Sequence, residues 1–279
     1  MQIETLPGVG AEITGVDLKH LTTDEFDAIR QAYAEHGVIF FREQNLSEED
    51  HIAFAERWAP INVNRFFAAH PDYPQIALVA KEKEQKDNIG GGWHTDHSYD
   101  QEPAMGSILV ARELPETGGD TMFASMYRAY ETLDEATKKE IEGLRAVHSA
   151  HHIFGSQKDS FYSTTDAGGK RIGNAAVADV LADVTHPVVI THPLSGRKAL
   201  YVNPAFTVKI VGMSDEASKD LLMRLYAHAM DKGHAYRFKW EPGSIAFWDN
   251  RSTWHWALND YHGQRRIMHR ITVEGCALN

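Results

Sequence analysis

The chain has 279 residues and a formal charge of −11, with 28 Lys and Arg against 39 Asp and Glu, so it lacks the surplus of cations that a phosphate-binding groove requires. Its 43% hydrophobic and 24% charged residues are those of an ordinary folded protein, which excludes a disordered or fibrous chain. The one cysteine, Cys276, cannot close an internal disulfide and supplies too few thiolates for an iron–sulfur cluster or a cysteine-rich zinc site, so any metal must be held by histidine and carboxylate.

The N-terminal segment MQIETLPGVGAEITGVDL has no basic stretch leading into an apolar run, and nothing later approaches the roughly 18 apolar residues that span a bilayer; a cytoplasmic location without a membrane partner is expected. Thr22-Thr23-Asp24-Glu25 reads as a capping box. Helical spacing follows at Phe26, Ile29 and Tyr33, and Gly37 is the stop. Residues 38–41 read as a buried strand, and Ser47 can cap a second helix that runs to Trp58 before Pro60 ends it. From there β-type runs dominate, at 76–79, 105–111, 121–124, 187–191, 199–202, 244–248 and 267–273. Helical stretches interrupt them at 125–144 and 214–230, the latter capped by Ser214 and carrying Leu221, Leu222 and Leu225 on its buried face. The segment 156–183 is weakly periodic and rich in Gly, Ser, Thr and Asp, as a long lid-like loop would be. The expected fold is mainly β with helical insertions, a β-sandwich or jelly roll, in a single catalytic domain over 1–279.

A His-x-Asp pair on a strand puts both side chains on one face, where they can meet one ion. The pattern occurs at His70-Pro71-Asp72 and at His94-Thr95-Asp96, and the composition alone produces roughly one such match by chance. Two prolines crowd the first pair and favour a turn. The second follows Gly90-Gly91-Gly92-Trp93 and is preferred. Two His and one carboxylate leave an open face on an iron centre, and His255, flanked by Trp254 and Trp256, is the best third ligand; the alternative is a packed core histidine. In a strand through Gln264-Arg265-Arg266-Ile267-Met268-His269-Arg270, residues Arg266, Met268 and Arg270 share one face. Two inward guanidinium groups are costly unless they hold anions, and each can grip a carboxylate with two parallel hydrogen bonds. A solvated edge is the alternative.

Taken together, Trp93-His94-Thr95-Asp96, Gly118-Gly119-Asp120-Thr121, Trp248-Asp249-Asn250, His255 and Gln264 to Arg270 resemble the taurine dioxygenase family, which includes aryloxyalkanoate dioxygenases. The likeness runs from Gly10-Ala11-Glu12-Ile13 to Arg270. It implies a double-stranded β-helix, an iron(II) cofactor bound by His94, Asp96 and His255, and 2-oxoglutarate and O2 as co-substrates. It further implies that Thr121 and Arg266 hold 2-oxoglutarate, that Arg270 receives the substrate's anionic group, and that His70, Tyr73, Phe154 and Phe206 lie on the substrate side. His97 and Tyr99 follow the Asp where taurine-type members carry apolar residues, which argues against taurine itself and makes Tyr99 a further substrate-side candidate. The stretches 147–150 and 195–203 are closer to the aryloxyalkanoate branch.

The expected activity is hydroxylation of a small organic anion, with cleavage of an adjacent carbon–heteroatom bond as one outcome. A zinc hydrolase using the same three ligands, or a non-catalytic jelly-roll binding protein, are the competing readings. His148, His151 and His152 lack a regular ligand spacing and are read as structural. A homo-oligomer is expected from base rates.

Overall fold

The computed structural model describes residues 1–155 and 181–279. The expected lid at 156–183 therefore lies almost wholly outside the described residues.

Helix α1 (Thr23–His36) begins where the capping box places it. The Thr22 hydroxyl accepts from the Glu25 N–H at 3.2 Å and the Glu25 carboxylate accepts from the Thr22 N–H at 3.0 Å, which satisfies two donors that the first turn would leave unpaired. Gly37 closes the helix at φ 74°, and its N–H donates to the Tyr33 carbonyl. Ser47 and Asp50 repeat the capping box on α2 (Glu48–Glu56), which stops two residues short of Trp58. The apolar faces of the two helices meet through Phe26, Tyr33, Phe54 and Trp58, and Tyr33 and Trp58 both reach Phe247. Each such buried aromatic contributes about 1.5–3 kcal/mol through area removed from water.

In chain order the strands are β1 (Gln2–Thr5), β2 (Ala11–Thr14), β3 (Val38–Phe41), β4 (Ile61–Asn62), β5 (Ala77–Lys81), β6 (Gly106–Glu113), β7 (Thr121–Ser125) and β8 (Arg145–His148). They continue as β9 (Val184–Pro187), β10 (Val189–Thr191), β11 (Lys198–Leu200), β12 (Thr207–Ile210), β13 (Ala235–Phe238), β14 (Ile245–Asp249), β15 (Thr253–Ala257) and β16 (Arg266–Val273). The large sheet runs β1-β2-β3-β14-β6-β16-β4, with β5 also on β16. Against it lies the sheet β13-β7-β15, and β12-β8-β9 and β10-β11 form smaller sheets. Helices α1 and α2 cover one face of the large sheet, and Phe40, Leu109, Phe123, Phe238, Trp248 and Met268 fill the space between its other face and the sheet that holds β7. The architecture is mainly β with helices, as expected.

Two expected elements differ. The helix expected at 125–144 is broken into α3 (Met126–Glu131) and α4 (Glu135–Glu140). Thr132 turns its hydroxyl back onto the Arg128 carbonyl at 2.7 Å, and Asp134, extended, caps a new first turn by accepting from the Thr137 N–H at 2.8 Å. The run expected at 187–191 is two strands, because β9 pairs with β8 while β10 pairs with β11. Among the described residues, the next α-helix after α5 (His151–Phe154) is α6 (Asp215–Ala229), capped by Ser214 and burying Leu221, Leu222 and Leu225 as expected.

Candidate metal centre

His255 stands on β15, which pairs with β7 so that His255 lies opposite Phe123. His94 reaches it without belonging to a strand. A single antiparallel bridge joins the two histidines, with His94 N–H donating to the His255 carbonyl at 3.1 Å and His255 N–H to the His94 carbonyl at 2.8 Å. The expectation that strand alternation would present His94 and Asp96 together is corrected: the chain bends after His94, and Asp96 is brought in by its neighbours. Thr95 donates its hydroxyl to the Asn250 carbonyl at 2.5 Å, and His97 adopts φ 60°.

The result is a convergent donor set. His94 Nε2 lies 3.6 Å from Asp96 Oδ1, and His255 Nε2 lies 3.6 Å from Asp96 Oδ2. All three donors fall within 4.8 Å of one another, a spacing that one ion can bridge. With its proton on Nδ1, His94 donates to the Gly92 carbonyl at 2.8 Å, which leaves the Nε2 lone pair for a metal. Burial alone would raise the Asp96 carboxyl, but Arg270, His255 and His94 outweigh it and hold it well below the usual carboxylate range. Burial, reinforced by His94, pulls His255 well below the ordinary imidazole value. An uncharged His255, an ionised Asp96 and the ring nitrogen of His94 are donors of the kind a divalent cation takes, and the donor set fits one.

A cavity of about 350 Å³ opens onto these ligands. Arg266 and Arg270 project into it from β16, and Thr121 from β7. Arg266 is buried, its Nε and Nη2 have no hydrogen-bond partner, and burial draws its basicity down. A guanidinium in that state is stabilised by an anion, and among the described residues no carboxylate hydrogen-bonds to it. Trp240 Nε1 donates to Thr121 Oγ1 at 3.0 Å, so the Thr121 O–H remains free to donate elsewhere. Arg270 Nη1 donates to Asp96 Oδ2 at 3.1 Å while its Nε is unpaired. The expected face is thus real: Arg266, Met268 and Arg270 point between the sheets, and Arg265 points outward to Glu82 and Glu113.

A model of the "Taurine catabolism dioxygenase TauD, TfdA family" matches residues 2–272. The chain belongs to this family. An alkylsulfatase of Acinetobacter baylyi is 35% identical to it over 99% of this chain and 85% of its own length. An (S)-phenoxypropionate/alpha-ketoglutarate-dioxygenase of Sphingobium herbicidovorans is 32% identical over 95% of this chain and 92% of its own length. The crystal structure of a taurine dioxygenase from Burkholderia xenovorans superimposes with a TM-score of 0.80 at 32% identity, covering 99% of this chain and 90% of that one. The chain is therefore an iron(II)- and 2-oxoglutarate-dependent dioxygenase, which sets aside the zinc hydrolase and the binding-protein readings.

Within this taurine dioxygenase family member, the substrate-side candidates divide. Phe154 and Phe206 line the cavity. Tyr99 does not; it is buried behind them, with ring centroids 5.9 Å from Phe154 and 4.8 Å from Phe206. His70 and Tyr73 are outside the cavity, contrary to the expectation for them. His70 packs on His269, on the opposite face of β16 from Arg266 and Arg270, and Tyr73 donates to Glu49. Alternation along β16 separates the two faces. Glu48, His70 and His269 also bring donors within 4.8 Å of each other, but Arg112 Nε lies 3.1 Å from His269 Nδ1 and Arg112 Nη2 lies 3.5 Å from Glu48. That guanidinium supplies the positive charge there.

His148 contacts Thr207 Oγ1 at 3.3 Å and His152 meets the Ala205 carbonyl at 2.5 Å, and among the described residues none of the histidines at 148–152 joins a three-donor group. Sequence reasoning missed Trp248, whose ring lies 4.6 Å from that of His255, and the apolar wall residues Phe67, Val79, Ile89, Leu109 and Ile153. Alternation within β14 was the available signal for Trp248, since Ile245 and Phe247 face the helices while Ala246 and Trp248 face the site.

Proposed function

We propose that His94, Asp96 and His255 hold iron(II), that Arg266 and Thr121 hold 2-oxoglutarate, and that the remaining cavity receives a small organic anion with an apolar body. The observation that carries the reading is Arg266, a buried guanidinium with unpaired N–H groups beside a three-donor metal site. Iron(II) supplies oxygen activation, coupled to conversion of 2-oxoglutarate to succinate and CO2. The chain supplies orientation. Arg266 and the Thr121 hydroxyl provide aligned donors to a carboxylate, and Arg270, held through Nη1 by Asp96, offers its remaining N–H groups to the substrate's anion. Phe67, Phe154, Phe206 and Trp248 exclude water from the reacting carbon and accept its alkyl or aryl part. No side chain is needed as a general base.

The relatives named for alkyl sulfates and phenoxypropionate support a substrate that joins an anionic end to an apolar body. Hydroxylation of the carbon bearing the heteroatom gives a hemiacetal-like product that splits to a carbonyl compound and the released sulfate or phenol. The two facing sheets support a double-stranded β-helix as the scaffold, with one ligand and Thr121 on one sheet and both arginines on the other.

The test is anaerobic addition of iron(II) and 2-oxoglutarate to the apoprotein, with His94→Ala as control. A visible metal-to-ligand charge-transfer band is expected in the wild type and not in the variant. Metal bound without a band would overturn the assignment of the site. Oxygen uptake is then screened with alkyl sulfates, sulfonates and aryloxyalkanoates, and uptake above the substrate-free rate identifies the class.

A further inference from the structure

Among the described residues, two other than glycine take a positive φ, Glu43 and His97. His97, at φ 60°, directly follows the Asp96 carboxylate. In that region a β-carbon crowds the backbone, so a histidine stays there only when its surroundings impose it. The surroundings here are specific. The Asp100 N–H donates to the His97 carbonyl at 2.9 Å, closing a turn. Asp100 Oδ2 takes His97 Nδ1 at 2.9 Å, while Asp100 Oδ1 is bonded to Arg65 Nη2. On the far side of the turn His186 Nε2 reaches the Asp100 carbonyl at 2.9 Å, and Asn203 Nδ2 donates to Ser98 at 3.0 Å.

We propose that the Arg65–Asp100–His97 chain is a positioning device for Asp96: it holds residue 97 left-handed and thereby aims the preceding carboxylate at His94 and His255. This rests on the reading of Asp96 as a metal ligand. Thr95 is pinned to Asn250 on one side of Asp96 and Arg270 Nη1 holds the Asp96 Oδ2, while on the other side the course of the backbone is set by the peptide that joins Asp96 to His97. Relaxation of His97 to a negative φ rotates that peptide and carries Asp96 off its 3.6 Å approach to each histidine. The same chain reaches the substrate wall, because Phe66, next to Arg65, stacks on Phe154 with centroids 4.2 Å apart.

The experiment is a titration of the full-length apoprotein with Co(II), read by its ligand-field absorption, without turnover. Asp100→Ala should weaken Co(II) binding by about tenfold or more, the usual effect of removing a group that orients a ligand. Adding His97→Gly to it should return affinity to within about threefold of wild type, because glycine takes a positive φ without support. Wild-type affinity in Asp100→Ala, or a double variant as weak as the single, would overturn the proposal. If Asp100→Ala does not fold by circular dichroism, Arg65→Ala, which removes one half-exposed partner, is used with the same glycine rescue. Asp96→Ala separates the two readings: undiminished Co(II) binding there would sink the metal-site assignment itself, whereas failure at Asp100 leaves it standing.

Discussion

Arg266 carries the most chemical information of any single residue. Isolated buried charge is expensive, and two of the Arg266 nitrogens at a cavity wall, Nε and Nη2, have no partner among the described residues. Truncating one member of such a buried charged hydrogen-bonded pair costs about 2–5 kcal/mol, so Arg266→Ala should raise the KM for 2-oxoglutarate by about 30-fold or more while Co(II) affinity stays unchanged. Thr121→Val, which removes one neutral donor, should cost about 1 kcal/mol, or roughly fivefold in the same KM. Gly90 makes a second prediction at this scale. It sits at φ 78°, and a β-carbon there would lie 3.3 Å from His94 Cε1, whereas one on Gly92 meets nothing within 4 Å. Gly90→Ala should therefore weaken Co(II) binding by about tenfold, and Gly92→Ala should leave it near wild type in the same titration.

Among elements, helix α1 shows how local chemistry can be complete in itself. Its start, stop and buried face were all legible, because the capping box, the left-handed Gly37 and the apolar spacing involve only residues within the helix or beside it. Thr22→Ala should lower stability by about 1 kcal/mol in urea unfolding without changing Co(II) affinity, since the cap is remote from the cavity. Strand β16 was equally legible, its two-residue period placing Arg266, Met268 and Arg270 together despite a register shift against β6 between Ile267 and Met268. The broken 125–144 segment was not. Its periodicity is continuous enough for one helix, but Thr132 and Asp134 offer hydrogen bonds that end one helix and begin another.

Across the whole molecule, packing creates titrating groups that no local pattern announces. His51 and His148 are buried, and burial, aided by Arg112 and His269 in the first case and His186 in the second, depresses each from near 6.5 to about 3. Both stay neutral in the fold and protonate in the unfolded chain as pH falls below about 6.5, so the unfolded state binds more protons there. Their contribution is complete above that pH and is lost on acidification, at up to about 1.4 kcal/mol per pH unit for each group. Urea unfolding should show stability falling steeply from pH 6.5 to 5, and His148→Gln should flatten that slope. A slope unchanged in the variant would remove His148 from the account.

What the amino-acid sequence determined by itself is the chemistry available: His and carboxylate as the only metal donors, a strand with two inward arginines, and an order of motifs that resembles one family. Those properties depend on residue identity and short-range periodicity, so they survive without knowledge of the fold. The resemblance named the three donors, and tertiary structure alone decided how they meet. His94 reaches His255 through one bridge between segments about 160 residues apart, and Asp96 is aimed by Asn250 and by a turn at His97 instead of by strand alternation. It also removed His70 and Tyr73 from the cavity and set Tyr99 behind its wall, because the side of β16 a neighbour occupies depends on how the chain returns to that strand. Long-range pairing leaves no periodic trace in the sequence, and that is where the readings from sequence and structure part.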